Sequence, residues 1–220
     1  MKKLLFLFVA LLVSGAMMAQ GSKGKMTTKS FLAFHGGPSF PVGDFGSTNQ
    51  NNDKAGFAKI GFNLGLNYGH LFNKNVGITG AAFYNRYNLD KTILVDLLSG
   101  TNLDHWQFYG LAAGPMLTHE ISGKVAADIR IMGGVGNANT PRFTYEGNLV
   151  VKGDWKAAFL FQGGLDLRFN AGKKVVLFTN ADYIGLQPEF IIEDIDGAVI
   201  DRHHQTISVI NLTGGVGIKF

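Results

Sequence analysis

Cysteine is absent from this 220-residue sequence. A disulfide scaffold and a thiolate metal site are therefore excluded, as is the lipid-modified cysteine of a bacterial lipoprotein. Charge is scarce: 16% of residues are Asp, Glu, Lys or Arg, against about 25% in average soluble domains. With 46% hydrophobic residues, the chain is too apolar and too weakly charged to be disordered. Beyond the N-terminus no stretch reaches 18 consecutive apolar residues, so no helix is expected to span a bilayer. Glycine is plentiful instead, at 30 residues, about twice the usual ~7%. It follows no three-residue period, which excludes collagen. The length fits one domain.

Met1-Lys2-Lys3 precedes an apolar run from Leu4 to Val13 and then the small residues Ser14 to Ala19. A basic start, a short apolar core and a small-residue cleavage site form a secretory signal peptide. At about 1.5 Å per residue the run is too short to anchor in a ~30 Å hydrocarbon core. Cleavage is expected after Ala19. That leaves 20–29 as a short periplasmic segment and 30–220 as the folded domain. Removing Lys2 and Lys3 lowers the formal net charge from +4 to +2, and with no basic run in the remainder no nucleic-acid partner is implied.

The folded part alternates with period two. From Phe57 to Phe72 the even positions Ala58, Ile60, Phe62, Leu64, Leu66, Tyr68, His70 and Phe72 are mainly large and apolar, while Lys59, Gly61, Asn63, Gly65, Asn67 and Gly69 lie between them. Successive side chains of a strand point to opposite faces. Residues 124–136, 155–169, 174–186 and the last segment repeat the pattern, and 30–40, 76–87 and 106–118 do so more weakly. Eight antiparallel strands of about 10–15 residues are expected, longer than the ~5–6 of a soluble strand and suited to a tilted membrane strand. The polar face is rich in glycine and carries charges of both signs, as the interior of a narrow barrel would. Short connections (73–75, 119–123, 170–173) alternate strictly with long ones (41–56, 88–105, 137–154, 187–205). Tight periplasmic turns and long external loops give an outer-membrane barrel that spacing. Aromatic rings are expected at both rims, with Phe72, Phe169 and Phe220 on the periplasmic side and Tyr84, Trp106, Tyr109, Trp155 and Tyr183 on the outer side. The fold class is therefore all-β, an eight-stranded antiparallel transmembrane β-barrel behind a cleaved signal peptide, placed in the bacterial outer membrane.

The chain closes on Thr213-x-Gly215-x-x-Ile218-x-Phe220, which resembles the carboxy-terminal signature of outer-membrane barrels. The resemblance implies that Thr213, Gly215, Ile218 and Phe220 are read by the barrel-insertion machinery. Gly36 to Phe45 resembles the first strand and loop of the small outer membrane protein β-barrel domain family, similar in build to OmpA- and OmpX-type barrels. PorT-type secretion proteins also look like this. The family implies location and architecture; its members share no single activity.

Eight strands enclose an interior that side chains fill. Lys59, Asp128, Arg130, Lys156, Asp166, Arg168 and Asp182 are expected to form an ion-pair network there, since unpaired buried charge is costly. Recognition then falls to the loops. Loop 3 contains Phe143 and Tyr145, loop 4 contains Phe190 and Ile192, and Asp196-Gly197 is a hairpin signal. Strands 5–8 are expected to project outward as one sheet whose edge adds a partner's strand. Outer-membrane lipid and lipopolysaccharide are the surrounding partners, and the chain is expected to be monomeric. No nucleophile-elbow, zincin or phosphate-loop motif occurs, so no catalytic residue, cofactor or metal is expected. Adjacent His203 and His204 point to opposite faces, and Asp194 and Asp196 alone make a poor calcium site. Two alternatives stay open. One is a lipid-A-modifying enzyme built on His204 and Ser208, which share a face; the other is an accessory part of a secretion machine.

Overall fold

The computed structural model describes residues 29–90, 101–141, 143–145, 148–151, 155–193 and 199–220. The expected signal peptide and most of the segment 20–29 lie outside them. Eight long strands form the body: β1 (Ser30–Pro41), β2 (Gly61–Leu71), β3 (Val76–Tyr87), β4 (Trp106–Ser122), β5 (Val125–Asn139), β6 (Trp155–Asn170), β7 (Val175–Leu186) and β8 (Ile207–Lys219). Each pairs antiparallel with its sequence neighbour, and β1 pairs with β8 to close the barrel. Leu32 faces Ile218 and Phe40 faces Ile210 across that seam. Closure leaves no unpaired edge, which is what a sheet immersed in hydrocarbon requires.

The apolar face points outward. Phe159 is 73% exposed and Leu165 59%, and Phe62, Leu64, Leu66 and Phe161 are also exposed. Arg130, Arg168 and Asp128 are each 1% exposed on the opposite face. A soluble sandwich would reverse these two sets; here the greasy belt meets lipid. Glycine on the inner face lets neighbouring strands crowd. A Cβ at Gly134 would fall on the Leu111 carbonyl and one at Gly114 on that of Ile131, so the backbones of β4 and β5 approach closely where both lack side chains.

The turns at the end bearing Ser30 are short. Asn73 fixes the first, its Oδ1 accepting from the backbone N–H of Asn75 and of Val76, each at 2.9 Å. Several boundaries differ from the alternation pattern, β5 for one running to Asn139 past the expected end at 136. Residues 57–60 are not part of β2: Phe57 takes a left-handed φ of 51°, and Ala58 makes a lone bridge to Leu89. β4 runs on to Ser122, past the expected end at 118, because a bulge between Glu120 and Ser122 lets a turn at 123–124 suffice.

Candidate functional site: a stratified lumen beneath outward-running sheets

Inward side chains fall into three tiers. Nearest the short turns, Phe31, Ala33, Met116, Val176 and Phe178 form an apolar cluster, with the Phe31 and Phe178 rings 5.2 Å apart. The middle tier is polar. Arg130 bridges two carboxylates: Nη2 donates to Asp166 Oδ1 at 2.8 Å and to Asp182 Oδ1 at 2.7 Å, while Nε lies 2.7 Å from Asp166 Oδ2. Arg168 pairs with Asp128 through both Nε and Nη2 and sits 4.7 Å above the Phe31 ring, a cation–π contact joining two tiers. Thr118 donates to Asp128 at 2.6 Å. Asn63 donates to Asn85 at 3.1 Å, and Ser39 bonds both Tyr87 and Asn211. With Asn67 oriented so that its Oδ1 accepts, it takes hydrogen bonds from Asn180 and Arg130 at 3.0 Å each.

The outer tier is apolar again. Phe83, Phe108, Leu160, Ile184, Leu186, Ile207 and Val209 are buried there. Loop 1 lays a short 3-10 turn (Gly43–Gly46) across them. Its Phe45 is fully buried, edge-on to Tyr87 at 5.3 Å and to Trp106 at 5.5 Å. Gly56 makes room, since a Cβ there would strike Phe45. Trp106 donates its Nε1 proton to the Gly56 carbonyl at 2.9 Å. Trp106 therefore belongs to the interior rather than to the outer aromatic rim, where Tyr109 and Trp155 do lie exposed with rings 5.2 Å apart.

The candidate ionic residues divide accordingly. Asp128, Arg130, Asp166, Arg168 and Asp182 come together in the middle tier. Lys59 does not: it precedes β2, is exposed, and pairs at the outer end with Asp90 at 3.0 Å. Phe57's turn breaks the alternation that would have aimed it inward. Lys156 is on the inward side of β6 but half-buried at its outer end, above the network. Of the terminal motif, Thr213 is buried inward while Ile218 and Phe220 are exposed to lipid.

The long loops continue the barrel wall. Residues 143–145 pair with 101–103 and with 148–151. Gln107 faces Asn139 in the barrel, and four residues further out Leu103 faces Phe143. Likewise Asn139 faces Trp155 and Phe143 faces Val151. The three-stranded sheet is thus β4, β5 and β6 resumed in register, the third strand then shifting by one residue at a bulge between Phe143 and Thr144. Glu189–Glu193 and Val199–His204 resume β7 and β8: Leu186 faces Ile207, and Glu189 faces His204. The expected single sheet from strands 5–8 is replaced by two, of three and two strands, with no pairing between them among the described residues. Phe190 is another correction. It is 5% exposed and packs on Trp106 with ring centroids 6.0 Å apart, so it seals the outer tier instead of facing a ligand. The backbones of Phe143, Tyr145 and Ile192 sit in the two sheets, while the Asp196-Gly197 turn and Asp194 lie outside the described residues. No cluster of three metal-ligating side chains occurs among those described. Ser208 Oγ lies 3.0 Å from Tyr183 Oη, and no hydrogen bond links it to the exposed His204.

Alternation missed the outer tier, although a signal was present. Phe159-Leu160-Phe161 and Val209-Ile210 are apolar at odd and even positions alike, as a strand greasy on both faces must be.

No protein-family model matches this sequence, and no curated protein sequence does. Solved structures do match. A major outer membrane protein from Thermus thermophilus superposes with a TM-score of 0.54 at 12% identity, over 87% of this chain and 99% of that one. Neisserial surface protein A gives 0.53 at 14% identity, over 87% and 97%. The attachment invasion locus protein of Yersinia pestis gives 0.51 at 19% identity, over 89% and 100%. The fold is that of the small outer-membrane β-barrels. At these identities the likeness is one of architecture, and the OmpA/OmpX-like build implied by the resemblance of Gly36 to Phe45 is the architecture found.

Proposed function

We propose that this barrel is a non-enzymatic outer-membrane protein, closed to bulk solute, that holds two β-sheets above the lipopolysaccharide surface for recognition and stiffens the envelope. The observation that carries the reading is the in-register continuation of five barrel strands past the outer rim, over a lumen whose inward side chains are buried in three tiers. A rigid wall that extends itself outward is a platform, and loops on such platforms carry recognition. The free edges of these sheets, 101–103 and 148–151 in one and either strand of the other, offer unpaired backbone groups to an extended partner segment. Hydrolysis at Ser208 finds no support in its pairing with Tyr183. Thr213, Gly215, Ile218 and Phe220 are proposed to serve recognition by the insertion machinery.

Reconstituted vesicles test this reading. The barrel is expected to give no swelling in isotonic arabinose, and its expression to leave the lipid A mass profile unchanged. Swelling at porin rates, or a new lipid A species lost with His204→Ala, would refute it.

A further inference from the structure

Charge is distributed unequally between the two ends of the barrel. At the end with the short turns the described residues contribute Lys29 before β1, Lys74 in the first turn, Lys124 in the second, Lys173 and Lys174 in the third, and Lys219 closing β8. Every connection at that end supplies at least one lysine. The carboxylate side chain there is Glu120, half-buried on β4. Lys219 Nζ is held 2.7 Å from Asn170 Oδ1, and the other five lysines are exposed, in no ion pair among the described residues. Among the described side chains the opposite end carries both signs: Asp44, Asp53, Asp90, Asp104 and Glu189 accompany Lys54, Lys59, Arg86 and Lys156, and Lys59 is paired with Asp90.

These lysines also sit at a defined depth. Each lies within about three residues of a strand end, beside apolar groups turned to lipid: Phe72 near Lys74, Ile121 near Lys124, and Phe220 beside Lys219, all exposed. Such neighbours fix the hydrocarbon boundary, and lysine stems reach from there to the headgroup plane. Six like charges around one rim repel one another unless counter-charge is supplied.

We propose that this collar of lysines selects anionic phospholipids in the leaflet facing the periplasm. The proposal rests on the outer-membrane setting argued above, because short turns face the periplasm in such barrels. It is independent of what the outward sheets bind. A lysine near an anionic surface favours it about five-fold, so a few acting together give a readable preference.

The full chain folded in nanodiscs of equimolar phosphatidylglycerol and phosphatidylcholine provides the test, with retained lipid counted by native mass spectrometry. Phosphatidylglycerol is expected to be enriched at least about five-fold. The combined variant Lys74→Gln, Lys124→Gln, Lys173→Gln, Lys174→Gln should bring the ratio close to one, and Lys54→Gln with Lys59→Gln should leave it unchanged. An unaltered ratio in the first variant, or equal loss in the second, overturns the proposal. Heat-modifiable migration reports folding separately, so failure of the barrel reading is distinguished from failure of the lipid preference. If the four-lysine variant does not fold, the wild-type ratio between about 50 and 500 mM NaCl decides: it must fall as screening shortens, and a salt-independent ratio overturns the proposal. Soluble polyglutamate that strips the bound phosphatidylglycerol completely would point to an acidic protein partner and equally overturn it.

Discussion

At the scale of single residues, the middle tier concentrates the energetic risk. Arg130 is shared by Asp166 and Asp182, and all three are almost wholly buried. Arg130→Gln would leave two carboxylates without their cation. Breaking a buried pair from one side costs about 3–5 kcal/mol, and urea unfolding from vesicles, followed by Trp106 and Trp155 fluorescence, should register a loss of that size. Gly164 faces the same group: a Cβ there would fall on the Asp182 carboxylate and lie 3.1 Å from Arg130 Nη2. That carboxylate is held by its hydrogen bond and cannot step aside, so Gly164→Ala is expected to cost about 1–3 kcal/mol, as overpacking does. Gly214 is the contrast. Its nearest neighbour would be the Phe178 carbonyl at 3.8 Å, so Gly214→Ala should stay within about 0.5 kcal/mol of wild type. Leu165, on the outward face like Gly214, is bare to lipid, and Leu165→Arg should cost about 2–4 kcal/mol by the same assay, the penalty of a cation near the bilayer midplane. Equal costs for Gly164→Ala on the inner face and Gly214→Ala on the outer would mean that the space around Asp182 and Arg130 is looser than its distances say.

At the scale of elements, period two made the strands legible. β3 and β7 run over 76–87 and 175–186, within a residue of where alternation places them, because lipid outside and ions inside leave little choice of face. What alternation could not show was the fate of the strands beyond the outer rim. Pro141 and Pro188 have no N–H to give a ladder, and with Asp104-His105 and Gln205-Thr206 they read as the ends of strands. They are interruptions. The ladder resumes beyond each in the same register, held at the β7–β8 break by Gln205 N–H donating to the Pro188 carbonyl at 3.2 Å. The ion-pair residues were readable for the same reason as the strands, being isolated charges on a glycine-rich face. Lys59 misled because the rhythm persists through Phe57 while the backbone does not follow it. Phe190 misled because its apolar neighbours made it look like loop surface, whereas register places it over Trp106. An element that merely extends a finished barrel should be dispensable to it. Replacing 191–202 by Asn-Gly, which keeps Phe190 and the facing His203, is therefore expected to leave migration on gels heat-modifiable, and a variant found only in the unfolded band would show that the hairpin is part of the folding unit.

At the scale of the whole molecule, the proposed closure has three tiers acting in series. A solute entering from outside meets Phe45 and Trp106, then the Arg130 and Arg168 clusters, then Phe31 against Phe178. The tiers resist for different reasons. The apolar ones exclude ions by desolvation and the charged one is cross-linked by its own pairs, so no one substitution should open a path. Phe45→Ala combined with Trp106→Ala removes the outermost rings. It should lower stability, since each large-to-small change in a packed core costs about 3–5 kcal/mol. Yet it leaves Arg130, Asp166, Asp182 and the Phe31–Phe178 contact untouched. Planar-bilayer recordings of this double variant are accordingly expected to stay silent, as those of the wild type are. A steady conductance in the double variant alone would make loop 1 a gate over an otherwise open channel, and conductance in both would end the proposed closure. Silence in both, with arabinose still excluded from vesicles, is what a barrel closed along its whole length must give.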